Sequence, residues 1–342
     1  MSIFVNLGPM LIISRTPVRI SFFGGGTDYP AFYREHGGAV LGTTIDQYTY
    51  ISVKTFKSSF FDHNIRIAYS KTELVKAIDE IQHPSVREVL RHHRIPGNLD
   101  IHIFSDLPAR SGLGSSSSFT VGFLNALFAL QGKRKSKQFL AEEACYIEQK
   151  MIQENVGSQD QFHAAYGVFN IFEFSKELVR MRPLIISHER KQLLEDHLLV
   201  YFTGMTRFAS QIVKEQMNNT AMGKNDVYLE KMFQMVFQAE EILLSSPKER
   251  MVKEFGELLH ESWQLKKQLS SQVSNTGIDA AYSRALQAGA YGGKLCGAGS
   301  GGFLLFFVSP SKQEGVRHAL ADLQEVPFHF EDQGSTIIYM KD

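Results

Sequence analysis

The stretch Pro108-Ala-Arg-Ser-Gly-Leu-Gly-Ser-Ser-Ser-Ser118 decides how the rest of the chain is read, because it separates a strand-like segment (LDIHIFS, 99–105) from an apolar helical segment, Phe119 to Leu130. Glycines let the backbone approach a ligand closely, and the unpaired amides and positive dipole end of a helix start favour phosphate. The serine hydroxyls add oxygen ligands for an anion or its magnesium ion. The spacing is neither GxxxxGK[ST] nor GxGxxG. Taken alone the loop could equally be a flexible turn with a serine N-cap. The helix after it says more: Phe119, Val121, Phe123, Leu124, Leu127, Phe128 and Leu130 make it apolar on every face, so its N-terminus sits in or near the interior.

Downstream, Leu140, Ala144, Ile147, Glu148 and Met151 share one helical face, which places a carboxylate in an apolar stripe. A buried glutamate must be paired with a cation or bind a metal, because an unpaired carboxylate in an apolar site is costly. Magnesium needs few protein oxygens when phosphates supply the others, so Glu148 fits it; a salt bridge to Arg or Lys is the competing reading. Gly157-Ser-Gln-Asp-Gln161 then breaks the helical pattern. Upstream, Arg15-Thr-Pro-Val-Arg19 precedes Ile20-Ser-Phe-Phe-Gly-Gly-Gly-Thr-Asp-Tyr29. Here backbone amides can face a ligand and Asp28 can accept sugar hydroxyls, or the segment is a tight turn with an Asx cap. Lys294-Leu-Cys-Gly-Ala-Gly-Ser-Gly-Gly302 is a second glycine loop, with glycine at four of the six positions from 297. Close approach to a ligand or to another backbone would explain that density.

The 342 residues allow two domains of ordinary size. Lys+Arg and Asp+Glu both total 36, so no global charge invites nucleic acid or an anionic membrane. Cys145 and Cys296 are the only cysteines, too few for a disulfide framework or a thiolate zinc site. The N-terminal MSIFVNLGPMLII lacks a basic n-region and is broken by Gly8 and Pro9, and no apolar run is long enough to span a bilayer, so the expected location is the cytoplasm. Residues 11–23 and 39–53 read as strands, the chain from Lys71 (TELVKAIDEI, SVREVLRHH) as helical, GVFNIFEF and HLLVYFTG as strands, and residues 207–289 as long helices. The order predicts an α+β protein of two domains, 1–175 and 176–342. His92-His93 beside Arg91 and Arg94 reads as a basic helix end, and no metal is assigned to it.

These segments together resemble the GHMP small-molecule kinases. Pro108 to Ser118 is similar to the family's PxxxGLGSSAA phosphate motif, with Ser117-Ser118 in place of two alanines; Lys294 to Gly302 matches its third motif; and Arg19 to Tyr29 resembles galactokinase's RVNLIGEHTDY. Arg19 and Asp28 stand 9 positions apart, and Glu148 and Asp160 stand 12 apart, as in galactokinases. The resemblance implies a ribosomal-S5-like N-terminal domain, a ferredoxin-like C-terminal domain and an active site in the cleft between them. It further implies that ATP lies over Pro108, Gly112, Leu113, Gly114, Ser115, Ser116 and Ser117, that Ser116 and Glu148 hold Mg2+, that Asp160 faces the acceptor hydroxyl, and that Arg19 stabilises the transferring phosphoryl group. Phosphoryl transfer needs chiefly alignment and charge stabilisation, which this set would supply.

One departure concerns the acceptor. Where galactokinases carry Glu-His before Thr-Asp-Tyr, this chain has Gly25 and Gly26, which makes room and offers glycine amides to an anion. The acceptor site is thus expected to use Gly25, Gly26, Thr27, Asp28, Tyr29, Gly297 and Gly299, with Arg207 as an extra cation for a distal phosphate. The run SRTPVRISFFGGGTDYP, with Tyr201 to Ser210, resembles the bacterial D-glycero-D-manno-heptose 7-phosphate kinases, which implies transfer to the anomeric hydroxyl of a sugar phosphate. Another sugar-1-kinase, for L-fucose or galactose, and a non-catalytic sugar and nucleotide sensor are the competing readings. A homodimer is left open.

Overall fold

The computed structural model describes residues 10–109, 112–204 and 209–341. In chain order these form β1 (Leu11–Phe23), α1 (Pro30–His36), β2 (Gly38–Thr55), β3 (Ile65–Ala68), β4 (Thr72–Val75), α2 (Pro84–His92), β5 (Leu99–Ser105), α3 (Ser115–Leu130), α4 (Lys137–Tyr146), which runs into a π turn (Ile147–Met151), and α5 (Gln159–Tyr166). There follow β6 (Asn170–Phe174), β7 (Val179–Pro183), α6 (His188–Asp196), β8 (Leu198–Phe202), α7 (Ala209–Ala221), α8 (Asp226–Ser245), α9 (Lys248–Lys266) and α10 (Thr276–Gln287). The chain closes with β9 (Ala290–Leu295), β10 (Phe303–Val308), α11 (Pro310–Ala319), β11 (Gln324–Glu325), β12 (Phe330–Glu331) and β13 (Thr336–Lys341).

Two sheets organise these elements. A nine-stranded sheet has the main order β13-β1-β2-β5-β3-β4, and a four-stranded sheet runs β11-β8-β10-β9. The two-domain α+β reading therefore holds. Its boundary at residue 175 does not follow the sheets: β7 pairs with β6, and β12 and β13 return to pair with β2 and β1. The pairing of β12 and β13 with strands so far away in sequence leaves no local signal. The helical reading from Lys71 also fails at its start. Thr72 to Val75 is a strand in which Glu73 and Val75 are buried and their neighbours exposed, a period of two too short to be told from a helical pattern.

β1 positions the site. It pairs with β2 along its length but with β13 only from Leu11 to Arg15, and a register shift falls between Pro17 and Val18, where a proline without an N–H is tolerated. Beyond that shift, Val18, Ile20, Phe22 and Phe23 are buried against Met235 and Val236 of α8, Phe255 of α9 and Phe303 and Phe307 of β10. Phe255 meets Phe22 and Phe23 edge-on at centroid distances of 5.6 and 5.1 Å. Each buried phenylalanine contributes roughly 1.5–3 kcal/mol, so this apolar floor fixes the second sheet and its helices against the strand that carries Arg19. On the other side α3 lies close along β1. A Cβ on Gly122 would come within 2.5 Å of Thr16 Oγ1, and Ser118 Oγ donates to Pro17 O at 2.7 Å. Among the described residues no helix is long and apolar enough to cross a membrane.

Candidate active site

The loop before α3 is built for backbone exposure. Gly112 (φ 87°) and Gly114 (φ 79°) adopt left-handed conformations that favour glycine, and Gly114 is the N-cap of α3 with no side-chain capping hydrogen bond. The N-cap of α3 is therefore a glycine and not a serine, and it offers no side chain to the first-turn amides. Pro108 and Ser116 are exposed, Gly112 and Gly114 half-buried, and Leu113, Ser115 and Ser117 buried. Leu113 O accepts from Arg19 N at 2.9 Å, which ties the loop to β1.

Arg19 and Asp160 meet beside this loop. The guanidinium donates through Nε and Nη2 to Asp160 Oδ1 at 2.9 and 2.6 Å, and through Nη1 to Gly112 O at 2.7 Å. Arg19 is 5% exposed, so this pair is screened little by solvent. The other carboxylate oxygen, Oδ2, lies 3.2 Å from where a Cβ on Gly114 would stand. Glycine at the N-cap thus lets the carboxylate sit directly against the helix start. Asp160 occupies the first turn of α5, whose buried His163 donates through Nδ1–H to Gln159 O at 2.9 Å. Burial pushes the imidazole down to about 4, so it is neutral near neutral pH and adds no charge beside Arg19.

Glu148 arrives through the π turn, a feature that recurs at functional sites because it re-aims side chains. The turn directs two successive residues, Ile147 and Glu148, fully inward. No cation pairs with the carboxylate among the described residues. Ser117 Oγ and Gln161 Nε2 donate to Oε2 at 2.9 and 2.6 Å, while Oε1 is buried without a partner of hydrogen-bond geometry among the described residues. Burial, only partly offset by hydrogen bonding, pushes its pKa up to about 7. An orphaned, buried carboxylate oxygen beside a phosphate-type loop suits a small divalent cation that would restore the missing charge. The structure brings Ser117, not Ser116, onto Glu148; Ser116 stands on the same turn with its side chain exposed.

The glycine loop after β1 is tied together by contacts of its own. Gly24 (φ 80°) is required by the backbone, since a Cβ there would stand 1.9 Å from Ala39 O. Thr27 is fully buried, and its hydroxyl binds Gly24 O and Ala39 O, each at 2.8 Å. Asp28 is 1% exposed, and its carboxylate accepts from Gly26 N at 2.9 Å and Gln159 N at 3.2 Å. A Cβ on Gly157 would come within 1.9 Å of that carboxylate. Asp28 is therefore the stitch that holds the loop to α5, with burial raising its pKa. The amides of Gly26 and Thr27 are not available to an anion, because Asp28 Oδ1 and Gly24 O already accept them. Tyr29 is half-buried, and burial together with Asp28 and Asp160 holds its hydroxyl protonated far above the ordinary range.

In the third motif, Gly297 (φ 82°) packs on Gly112: a Cβ on either would collide with the other loop's backbone, at 2.4 Å from Gly112 Cα and 2.5 Å from Cys296 O. Gly299 packs likewise on Val273, at 2.7 Å from its Cα. Backbone-on-backbone contact accounts for both glycines, so the motif supports the phosphate loop from below. Two buried lysines complete the support. Lys294 Nζ donates to Ser21 O and Phe22 O at 2.7 and 2.9 Å, and Lys266 Nζ to Gly297 O at 2.5 Å. Burial pushes Lys294 down to about 7 and Lys266 down to about 8. Cys296 is 2% exposed with its thiol pushed up by burial, an inert packing residue. Arg207 lies outside the described residues.

Both parts of this arrangement match known families. Residues 73–168 match the GHMP kinases N terminal domain and residues 244–325 the GHMP kinases C terminal model. A D-glycero-alpha-D-manno-heptose 7-phosphate kinase from Campylobacter jejuni is 32% identical over 321 residues, 90% of this chain and 93% of that protein. The chain belongs to the GHMP kinase family. It is a kinase, a phosphotransferase with an alcohol acceptor and ATP as donor, as members of the family are. The crystal structure of a D-glycero-D-manno-heptose 1-phosphate kinase from Bacteroides thetaiotaomicron superposes with a TM-score of 0.76 at 28% identity, covering 97% of this chain and 100% of that one. A Lactococcus lactis galactokinase complexed with galactose, at 19% identity and TM-score 0.71 over 95% of each chain, shares the fold.

Sequence reading misses several residues around the candidate site. Gln161 lies inside a motif already singled out, and its role shows only through contact with Glu148. Lys266 sits in a run, Gln-Leu-Lys-Lys-Gln, that reads as a solvated helix end, and nothing local marks it as buried. Away from the cleft, His92 Nε2 and His93 Nε2 both approach Glu143 Oε1, at 3.0 and 3.1 Å, a partner the helix-end reading does not supply. A cavity of about 500 Å³ lined by Glu195, Arg317 and Phe328, among others, includes none of the motif residues and lies apart from the candidate site.

Proposed function

We propose that the protein is an ATP- and Mg2+-dependent sugar kinase that phosphorylates the anomeric hydroxyl of D-glycero-D-manno-heptose 7-phosphate, giving the 1,7-bisphosphate. The observation that carries the chemistry is the Arg19–Asp160 pair lying against the glycine N-cap of α3, with Asp160 Oδ2 close to Gly114. The triphosphate would lie along the first-turn amides, and the acceptor hydroxyl would face Asp160. Its oxygen attacks the γ-phosphorus, the bond to the β-phosphate oxygen breaks, ADP leaves, and the hydroxyl proton passes to Asp160. Arg19 keeps that carboxylate in place and offers positive charge next to the equatorial oxygens of the transferring group. Glu148, oriented by Ser117 and Gln161, would hold Mg2+, with Ser116 on the nucleotide side of the same turn; a bound ion there neutralises phosphate charge.

The sugar and its position are supported by the likeness to the Campylobacter jejuni enzyme and by the glycine at position 25. The names of the two heptose relatives differ in where the phosphate sits, and a fucokinase domain in a bifunctional Arabidopsis thaliana protein is 26% identical over 90% of this chain and 31% of that protein. A panel of heptose 7-phosphate, heptose 1-phosphate, L-fucose and galactose with ATP and Mg2+ separates these acceptors. Preference for heptose 7-phosphate is expected. Preference for an unphosphorylated sugar would replace the substrate assignment, and no turnover on any of them would favour a sensor.

A further inference from the structure

Of the three consecutive glycines in the loop after β1, two are demanded by the fold. Gly24 and Gly26 have φ of 80° and 113°, and a side chain on Gly24 would strike Ala39. Gly25 is different. Its φ is not in the left-handed region, and among the described residues a Cβ there would meet only Gln159 Nε2 at 3.7 Å and Ser21 Oγ at 3.8 Å, ordinary contact distances. The backbone and the packing would both accept alanine.

The two groups bordering that space are themselves incomplete. Ser21 is 7% exposed and Gln159 is 8% exposed, and Ser21 Oγ and Gln159 Oε1 are buried without a hydrogen-bond partner among the described residues. Buried polar atoms are nearly always paired, and an unpaired one requires an explanation. Gln159 is adjacent in the chain to Asp160, and Ser21 lies two residues beyond Arg19 on β1, so both elements that carry the reacting pair also frame this niche.

We propose that Ser21 and Gln159, with the space left by Gly25, form a pocket that receives a neutral hydroxyl of the acceptor, and that they are specificity-determining residues of the kinase. A serine hydroxyl and a primary amide can each donate and accept, the complement of a carbinol. They carry no charge for a phosphate dianion. The nearby amides of Gly26 and Thr27 are already bonded, and the charged group bonded to the loop is the Asp28 carboxylate. The glycine loop thus reads the polyol part of the acceptor, and a distal phosphate binds elsewhere. This rests on the sugar-kinase reading above.

The test compares wild type with Gly25→Ala and Gln159→Leu, measuring Tm, the KM for heptose 7-phosphate and for ATP, kcat, and inhibition by inorganic phosphate. If the wild type turns over no sugar, the sugar-kinase reading fails and not the pocket alone. With an active wild type, Gly25→Ala is expected to keep its Tm and its ATP KM while the acceptor KM rises about tenfold or more, the scale of one misplaced methyl or lost hydrogen bond in a pocket. Gln159→Leu should raise the same KM in the same direction. An unchanged acceptor KM in both variants overturns the proposal. So does a large fall in Tm for Gly25→Ala, which would make that glycine a requirement of the fold, and so does phosphate inhibition that Gly25→Ala abolishes, which would make the niche an anion site.

Discussion

Replacing Glu148 by glutamine removes a carboxylate that the fold holds against its own solvation. The group is fully buried, no cation pairs with it among the described residues, and its pKa is pushed from the ordinary carboxylate value of 4.5 up to about 7. That difference corresponds to about 3 kcal/mol between the two protonation states. The sign follows from proton binding. The folded state holds an extra proton between about pH 4.5 and 7, so the contribution to stability is fully present below the lower value and is lost as pH rises through the upper one. Glutamine cannot titrate. Without nucleotide or Mg2+, the stability of Glu148→Gln relative to wild type should therefore rise by up to about 3 kcal/mol between pH 4.5 and pH 8, whatever constant effect the lost hydrogen bonds have. Urea unfolding followed by circular dichroism at the two pH values gives the difference directly. At pH 8, adding saturating Mg2+ to ADP should stabilise the wild type further and the variant much less. A stability difference that does not change with pH would show that Glu148 is already satisfied as an anion, and the argument for a metal at this position would fall.

Ser117→Ala removes a hydrogen bond that favours the ionised form of Glu148, so the acidic limb of the activity profile at limiting Mg2+ should move to higher pH; a limb that stays in place would disconnect Ser117 from the carboxylate. Gly112→Ala places a Cβ 2.5 Å from Cys296 O at a φ of 87°, and is expected to destabilise by roughly 2 kcal/mol or more and to raise the ATP KM, read by Tm and initial rates. Lys294→Met leaves Ser21 O and Phe22 O without their buried donor, so kcat should fall more than either KM as the strand carrying Arg19 loosens; equal losses in kcat and stability-corrected KM would point to general unfolding instead.

The glycine loop at 108–118 stands out in the sequence because its left-handed backbone at Gly112 and Gly114 favours glycine. Glu148 was legible for the opposite reason, as a charge where the helical stripe called for an apolar residue. What stayed hidden depends on contacts across long sequence separations. Nothing near Asp28 in the sequence shows that Gly157 and Gln159 pack on its carboxylate, and nothing near Gly297 shows that Gly112 lies against it. The two cationic supports differ in the same way: Lys294 sits in a motif and draws notice, whereas Lys266 is concealed in a polar run. The return of β12 and β13 to the first sheet, which shifts the domain boundary, has no local signature at all.

The central claim is that Asp160, held by Arg19 against the start of α3, takes the proton of an anomeric hydroxyl as ATP transfers its γ-phosphoryl group. Phosphorus NMR of a mixture of ATP, Mg2+ and D-glycero-D-manno-heptose 7-phosphate tests it most directly, with wild type beside Asp160→Asn. The wild type should convert ATP to ADP one for one with a new phosphate ester coupled to the anomeric proton, and Asp160→Asn should do so at least about 100-fold more slowly with an ATP KM little changed. A new ester formed equally fast by Asp160→Asn, or no ester at all, would contradict the account.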